Sequence, residues 1–132
     1  MADTLNMLRT IAADATVNVS DLAVALWALL ECEQASTSCA MAMISEGEGT
    51  AVAIRRALDC ADVCQATLRV LSRASSSDAN LLRALTQACI IACQGSSLEC
   101  GRHAEHHEHC RLHSETAQQA AMALQDLLGG MR

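Results

Sequence analysis

Small and apolar residues recur along the chain at alternating steps of four and three residues, in four long stretches. This spacing is the heptad seam that packed helices present to one another, and it predicts helices over about 21–46, 50–74, 78–101 and 105–128. Glycines or serines separate the stretches, which indicates short loops. Short loops between long helices favour antiparallel neighbours. The pattern therefore predicts an all-α fold, an antiparallel up-down-up-down four-helix bundle.

Each predicted helix has one inward stripe. In the first helix the stripe consists of Ala25, Leu29, Cys32, Ser36, Cys39 and Met43. In the second it consists of Ala53, Ala57, Cys60, Cys64, Thr67 and Leu71. In the third it consists of Leu82, Leu85 or Thr86, Cys89, Cys93, Ser96 and Cys100. In the fourth it consists of His106, Cys110, His113, Ala117, Ala120, Leu124 and Leu127.

The N-terminal segment differs from the four long stretches. A shorter amphipathic helix is expected at about 3–16, packed as a lid on one end of the bundle. A length of 132 residues suits one hydrophobic core, so we expect a single domain over 1–132.

The composition supports helices and restricts the kinds of partner. The chain has one tryptophan and no proline, phenylalanine or tyrosine, which disfavours sheets. A formal net charge of -6 argues against a nucleic-acid partner. We find no apolar run of membrane-spanning length and no pattern of a secretory signal. A cytoplasmic location is therefore expected, where thiols stay reduced and eight cysteines indicate metal or redox chemistry.

All eight cysteines fall on the predicted stripes. Cysteine also packs as a small apolar residue, so core packing alone is one interpretation. The structural zinc and iron–sulfur motifs with Cys-x₂-Cys spacing are absent, whereas a ladder of thiolates favours a soft ion such as Cu(I). The expected metal ligands are Cys32, Cys39, Cys60, Cys64, Cys89, Cys93, Cys100 and Cys110.

The cysteine spacing also predicts which thiols meet. Cys60 with Cys64, and Cys89 with Cys93, are four residues apart, so each pair directs two sulfur atoms to one helix face. Counting outward from the loops places Cys64 near Cys89, Cys60 near Cys93, Cys39 near Cys60, and Cys32 near Cys64. The thiols should therefore occupy the middle and one end of the bundle, with leucines in the other half.

The five histidines lie near the predicted turn between the third and fourth helices. His106 and His113 share the stripe of Cys110, and we expect both at the mouth of the thiol-lined interior, as ligands or as a relay for incoming ions. His107 and His109 are expected to face solvent in a polar turn. The candidate ligands besides the cysteines are His103, His106, His113 and Met43.

Three segments carry a resemblance to a known family. They are LDCADVC (58–64), LLRALTQAC (81–89) and ECGRHAEHHEHCR (99–111). These segments resemble the cytosolic copper storage proteins, bacterial four-helix bundles with cysteine-lined interiors. The resemblance implies storage of many Cu(I) ions, bound mainly by thiolates, in a homotetramer of bundles. The cysteines that match the family are Cys60, Cys64, Cys89, Cys93, Cys100 and Cys110, while Cys32 and Cys39 lie on the matching stripe of the first helix.

The chain departs from this family in having fewer cysteines. Positions where the resemblance leads us to expect cysteine hold Ser36, Ser96, His113, Ala117 and Ala120. The half of the interior that lies farther from the histidines has therefore lost ligands. We expect a smaller copper cluster near the histidines.

The first hypothesis is a cytoplasmic Cu(I) storage protein that is not an enzyme, because we find no nucleophile–base pair in an oxyanion-stabilising context. The expected partners are copper ions and further copies of the chain. A second hypothesis is a structural or protein-interaction bundle that has lost most metal binding. A third is a zinc-binding or thiol redox protein, although a redox role needs an accessible thiol of low pKa.

Overall fold

The computed structural model describes residues 2–11, 17–47, 49–74 and 78–131, which form helices and no strand. The helices are α1 (Ala2–Ile11), α2 (Val19–Glu46), α3 (Ala51–Leu71), α4 (Ala79–Gly101) and α5 (Glu108–Gly129). Helix α2 packs against α3 and α5, and α4 packs against α3 and α5, so the long helices enclose one interior. The predicted all-α four-helix bundle with a short N-terminal helix is confirmed.

Side-chain caps fix where three of the long helices begin. The side-chain oxygens of Asn18 and Thr50 each accept a backbone N–H from the first turn of the following helix, at 3.0 Å. Asp78 caps α4 in the same way, at 2.8 Å. These residue types satisfy backbone donors that have no partner inside the helix. At the other end of α2, Gly47 adopts the left-handed conformation with φ of 65°, which stops the helix.

The start of α5 differs from the prediction. The helix begins at Glu108 rather than near residue 105, because 102–106 form turns and His107 is the residue that precedes the first turn. His106 therefore lies outside the helix and is exposed. The expectation that His106 shares the stripe of Cys110 is wrong, because residues four apart share a face only within a continuous helix. From Cys110 onward the predicted stripe is correct.

The predicted stripes form the interior of the bundle. The thiols, alanines and small polar residues of the four stripes are buried, and the leucines at one end are fully enclosed. These leucines are Leu29, Leu71, Leu82, Leu124 and Leu127. Of the two candidates in α4, Thr86 takes the interior position and Leu85 is only partly buried. One half of the bundle is therefore an ordinary apolar core, and the other half contains the thiols.

Helix α1 packs against α2 at the leucine end of the bundle, where Leu5 contacts the apolar core. The helix ends at Ile11, and residues 12–16 of the predicted N-terminal helix lie outside the described residues. Within the part of the chain that the structure describes, the helices are too short or too polar to cross a membrane.

The leucine end should hold the bundle together without metal. Replacing Leu124, which is fully buried, by alanine removes several methyl groups and leaves a cavity, so the free energy of unfolding should fall by about 2–5 kcal/mol. Urea unfolding of the reduced, metal-free protein measures this change. The matched control is Met122→Ala on the same helix, because Met122 is 64 % exposed and its loss should change stability by less than about 0.5 kcal/mol. Equal losses for both variants would contradict the assigned core.

Candidate metal centre

Five thiols from three helices meet in the middle of the bundle, and we call them the inner cluster. Its members are Cys32 of α2, Cys60 and Cys64 of α3, and Cys89 and Cys93 of α4. Their sulfur atoms lie 3.7 Å apart for Cys32–Cys60 and Cys64–Cys93, 3.8 Å for Cys64–Cys89, 3.9 Å for Cys60–Cys93 and 4.0 Å for Cys60–Cys64. Counting residues outward from the loops predicted that Cys64 lies near Cys89, Cys60 near Cys93 and Cys32 near Cys64. All three predictions are confirmed.

The remaining three thiols, Cys39, Cys100 and Cys110, form an outer cluster at the end near the α4–α5 turn. The sulfur atoms of Cys39 and Cys110 lie 3.9 Å apart. All three side chains are buried, and they pack with Ala57 and Met43. The expected proximity of Cys39 to Cys60 is wrong, because Cys39 belongs to this second cluster, about two helical turns closer than Cys32 to the loop between α2 and α3.

A histidine that sequence reasoning placed in solvent completes the outer cluster. The Nδ1 atom of His109 lies 3.4 Å from the sulfur of Cys39 and 3.5 Å from that of Cys110. His109 lies in the first turn of α5, directly before Cys110, and its side chain reaches the thiols, which corrects the expectation that it faces solvent. Its position directly before a stripe cysteine was the available signal, because residues beside a seam flank the interior.

The other face of His109 connects the cluster to the surface. Its Nε2 atom lies 3.2 Å from a carboxylate oxygen of Glu46, and Nδ1 of His107 lies 3.5 Å from the same oxygen. One imidazole therefore contacts buried thiols on one side and an exposed carboxylate on the other. His107, which was also expected to face solvent, is half-buried at this opening.

A small opening in the protein surface leads to the outer cluster. It is lined by Met43, Glu46, Gly49, His103, His107, His109 and Cys110. Gly49 closes one side, with a φ of 108° and with a position so close to Met43 that an added Cβ atom would lie 2.9 Å from the Met43 sulfur. A larger residue there would strain the backbone and displace the thioether.

The structure places the predicted non-cysteine ligands in three different locations. Met43 and His103 lie at the opening, as expected. His106 is exposed in the turn. His113 is fully buried and lies in the interior between the two clusters, so its expected position at the mouth is wrong.

Two serines bind His113 from opposite sides. The Nδ1 atom lies 3.3 Å from Oγ of Ser36 on α2, and Nε2 lies 2.6 Å from Oγ of Ser96 on α4. Ser36 also donates a hydrogen bond to the backbone carbonyl of Cys32, at 2.6 Å. The three side chains form one hydrogen-bonded layer across the bundle, which we call the polar layer.

Hydrogen bonds between neighbouring thiols give these thiols different pKa values. The S–H of Cys39 donates to Cys100, which lowers the pKa of Cys100 to about 5 and raises the pKa of Cys39. Contacts with Cys64 and Cys93 lower the pKa of Cys89 to about 4. Burial raises the pKa of Cys110. Within each cluster some thiols are thus easier to ionise than their neighbours, and thiol protons are released when a metal ion binds.

The fold and these clusters define a class of protein, a helical bundle that binds soft metal ions with buried thiols. The family model described as "Csp: Copper storage protein" matches residues 18–129. The chain therefore belongs to the copper storage protein family.

Solved structures agree with this assignment. The Streptomyces lividans copper storage protein with 10 copper equivalents is 43 % identical, over 97 % of this chain and 99 % of that chain, with a TM-score of 0.88. The cytosolic copper storage protein from the same organism with five coppers is 44 % identical, over 86 % of this chain and 96 % of that one, with a TM-score of 0.79. A variant of that Streptomyces protein with two histidines replaced by alanine is 42 % identical, over 88 % and 99 %, with a TM-score of 0.81. A search of curated protein sequences found no match.

All eight cysteines are free and buried, which predicts a clear result from thiol counting. In denaturant, a thiol reagent should titrate eight thiols per chain in freshly purified protein without added reductant. In the folded protein the same reagent should react much more slowly, because the sulfur atoms are enclosed. A deficit of two or four thiols in denaturant would reveal disulfides and would contradict the assignment of all eight as available ligands.

Proposed function

We propose that this protein stores Cu(I), bound by the thiolates of the inner and outer clusters. The observation that carries the proposal is the position of Cys32, Cys60, Cys64 and Cys93, whose sulfur atoms all lie within 4.8 Å of one another in a fully buried set. Thiolates are soft ligands, and Cu(I) is the soft ion that they prefer. Membership of the family and the copper-containing Streptomyces structures support the same role.

The proposed ligands are the eight cysteines together with His109, which takes the role that we expected of His106. His103 and the thioether of Met43 are proposed as weaker donors at the opening, through which copper reaches the outer cluster. Eight thiolates, used two per ion without sharing, would hold about four Cu(I) ions per chain. Storage requires binding and release, and the proposed role includes no catalytic step.

The location and assembly of the protein follow from its relatives. One Streptomyces relative is described as cytosolic, and we propose a cytoplasmic location for this chain as well. A homotetramer is proposed from the family resemblance. Apolar side chains on the outer surface, such as Val24 at 53 % and Leu98 at 62 % exposure, suit burial between copies of the chain.

Zinc is the second candidate, and the geometry gives a specific reason. Tetrahedral zinc with Zn–S bonds of about 2.3 Å places its sulfur ligands about 3.8 Å apart. The sulfur separations in the inner cluster run from 3.7 Å to 4.0 Å. These thiols could therefore bind one Zn²⁺, whereas a storage role needs several ions.

An anaerobic titration of the reduced protein with Cu(I), against a competing chelator, tests the storage proposal. The wild-type chain should bind about four ions tightly, since eight thiolates are available in pairs. The double variant Cys60→Ser with Cys64→Ser should lose about one ion, because it removes two of the eight thiolates, the α3 ligands of the inner cluster.

The matched control for this titration is Thr67→Ser, a buried residue of the same α3 stripe without sulfur, which should retain the full copper capacity. If the wild-type protein binds no Cu(I) beyond the amount that surface histidines bind, the storage proposal is wrong. Retention of a single Zn²⁺ in the presence of excess Cu(I) would favour the zinc alternative.

His109 should control how fast copper enters. Replacing it by alanine removes the donor that contacts both Cys39 and the surface carboxylate, so the initial rate of Cu(I) uptake should fall by about tenfold. Stopped-flow measurement of copper transfer from a coloured chelator gives this rate. The matched control is His106→Ala in the preceding turn, since His106 is exposed and its loss should change the rate by less than about twofold. Equal rates for the two variants would contradict the role of His109.

A further inference from the structure

A carboxylate and two imidazoles converge at the surface opening, on the side of His109 that faces away from the thiols. Glu46 is the last residue of α2, His107 precedes α5, and His109 lies in the first turn of α5. One carboxylate oxygen of Glu46 lies 3.2 Å from Nε2 of His109 and 3.5 Å from Nδ1 of His107. The centroids of the two imidazole rings lie 5.3 Å apart. We call these three side chains the surface triad.

The separations within the surface triad match those around a single metal ion. Zinc lies about 2.0–2.2 Å from imidazole nitrogen and carboxylate oxygen, so the ligand atoms of a tetrahedral ion lie about 3.3–3.6 Å apart. The distances of 3.2 Å and 3.5 Å from Glu46 to the two histidines are close to this range. One donor atom from each of the three residues lies within 4.8 Å of the other two. Small side-chain rotations therefore place all three donors around one ion.

The donor atoms of the surface triad select a different ion from the one that the thiols select. Cu(I) is soft and prefers thiolate sulfur, whereas imidazole nitrogen and carboxylate oxygen suit divalent ions of intermediate softness. Two histidines and one glutamate are a ligand set that zinc uses when a fourth position is open to water. The backbone carbonyls at the end of α2 add partial negative charge beside Glu46, which also favours a cation. The surface triad therefore suits Zn²⁺.

We propose that Glu46, His107 and His109 form a binding site for Zn²⁺, and that the bound ion closes the opening to the outer cluster. The three ligands are among the side chains that line this opening, so the ion lies across it. Binding of zinc at the surface triad requires no copper, whereas its effect on copper entry rests on the proposed storage function. The two parts of the inference are therefore measured separately.

The chemistry of one imidazole links the zinc site to the outer cluster. A neutral imidazole has one proton and one nitrogen lone pair in the plane of the ring, so it binds one metal ion at a time. When Nε2 of His109 binds Zn²⁺, the ring proton lies on Nδ1, where it faces the sulfur atoms of Cys39 and Cys110. Nδ1 then has no lone pair for Cu(I). Zinc and copper consequently compete for His109, and each weakens the binding of the other by the same factor.

The first measurement counts zinc ions per chain in the reduced, copper-free protein, by equilibrium dialysis at a series of buffered free Zn²⁺ concentrations. Glu46→Gln should weaken the binding of one ion by at least about tenfold, because even residues that only orient a metal ligand contribute that much. The matched control is Glu105→Gln, an exposed residue of the α4–α5 turn, which makes the same change in charge and should bind zinc as the wild type does.

The second measurement compares the initial rate of Cu(I) uptake with and without one equivalent of Zn²⁺. Zinc should slow uptake by about tenfold in the wild type and in Glu105→Gln, and by less than about twofold in Glu46→Gln. The two rates are compared within each variant, so any effect of the substitution itself on copper uptake cancels. Mg²⁺ in place of Zn²⁺ should leave the rate unchanged, because it does not favour imidazole ligands.

Equal zinc binding by the wild type and Glu46→Gln would overturn the proposed site and would assign any bound zinc to the thiols. If zinc binds at the surface triad but leaves the rate of copper uptake unchanged, the closure of the opening is wrong. A complete lack of Cu(I) uptake in every variant would instead refute the storage function. The zinc count would still decide whether the surface triad binds metal, so the two failures are distinguishable.

Discussion

The structure depends on the packing of four stripes of mainly small and apolar residues around one axis, in an interior without phenylalanine, tyrosine or tryptophan. Because the interior contains alanine, cysteine, leucine and small polar residues, the helices bring their sulfur atoms into contact at 3.7 Å to 4.0 Å. Helical backbone holds these ligands, so a binding loop is unnecessary. The same close packing that stabilises a bundle therefore produces a set of adjacent soft donors, and the number of donors depends on which stripe positions carry sulfur.

Stability and metal binding are assigned to opposite halves of the molecule. The fully buried leucines occupy the end beside α1, whereas the outer cluster and the histidines occupy the end at the α4–α5 turn. Small zinc domains fold only when metal is bound, because they lack a sufficient core of their own. Here the leucine end supplies such a core, so we expect the bundle to stay folded when its thiols hold no metal, as a storage role requires.

The sequence allowed the bundle and the eight thiols to be predicted, because heptad spacing converts directly into a buried stripe once a segment is helical. It did not allow us to predict which histidines lie at the opening to the outer cluster. His106 lies outside the helix because α5 begins at Glu108, and His107 before it provides no side-chain cap that would mark this start. His109 lies in the first turn of α5, beside the stripe position of Cys110. A shift of a few residues at a helix start rotates every preceding side chain, while residues from Cys110 onward keep their phase.

The polar layer shows how polar side chains can be buried between thiols of the bundle without losing their hydrogen bonds. Serine is close to cysteine in size, so Ser36 and Ser96 preserve packing, but each adds a hydroxyl that must be hydrogen-bonded when buried. His113 provides partners for both hydroxyls and fills the space between α2 and α4. The three side chains are consequently interdependent, because loss of the imidazole would leave two buried hydroxyls with fewer partners. The polar layer therefore behaves as one structural unit, held together by the hydrogen bonds that buried polar side chains require.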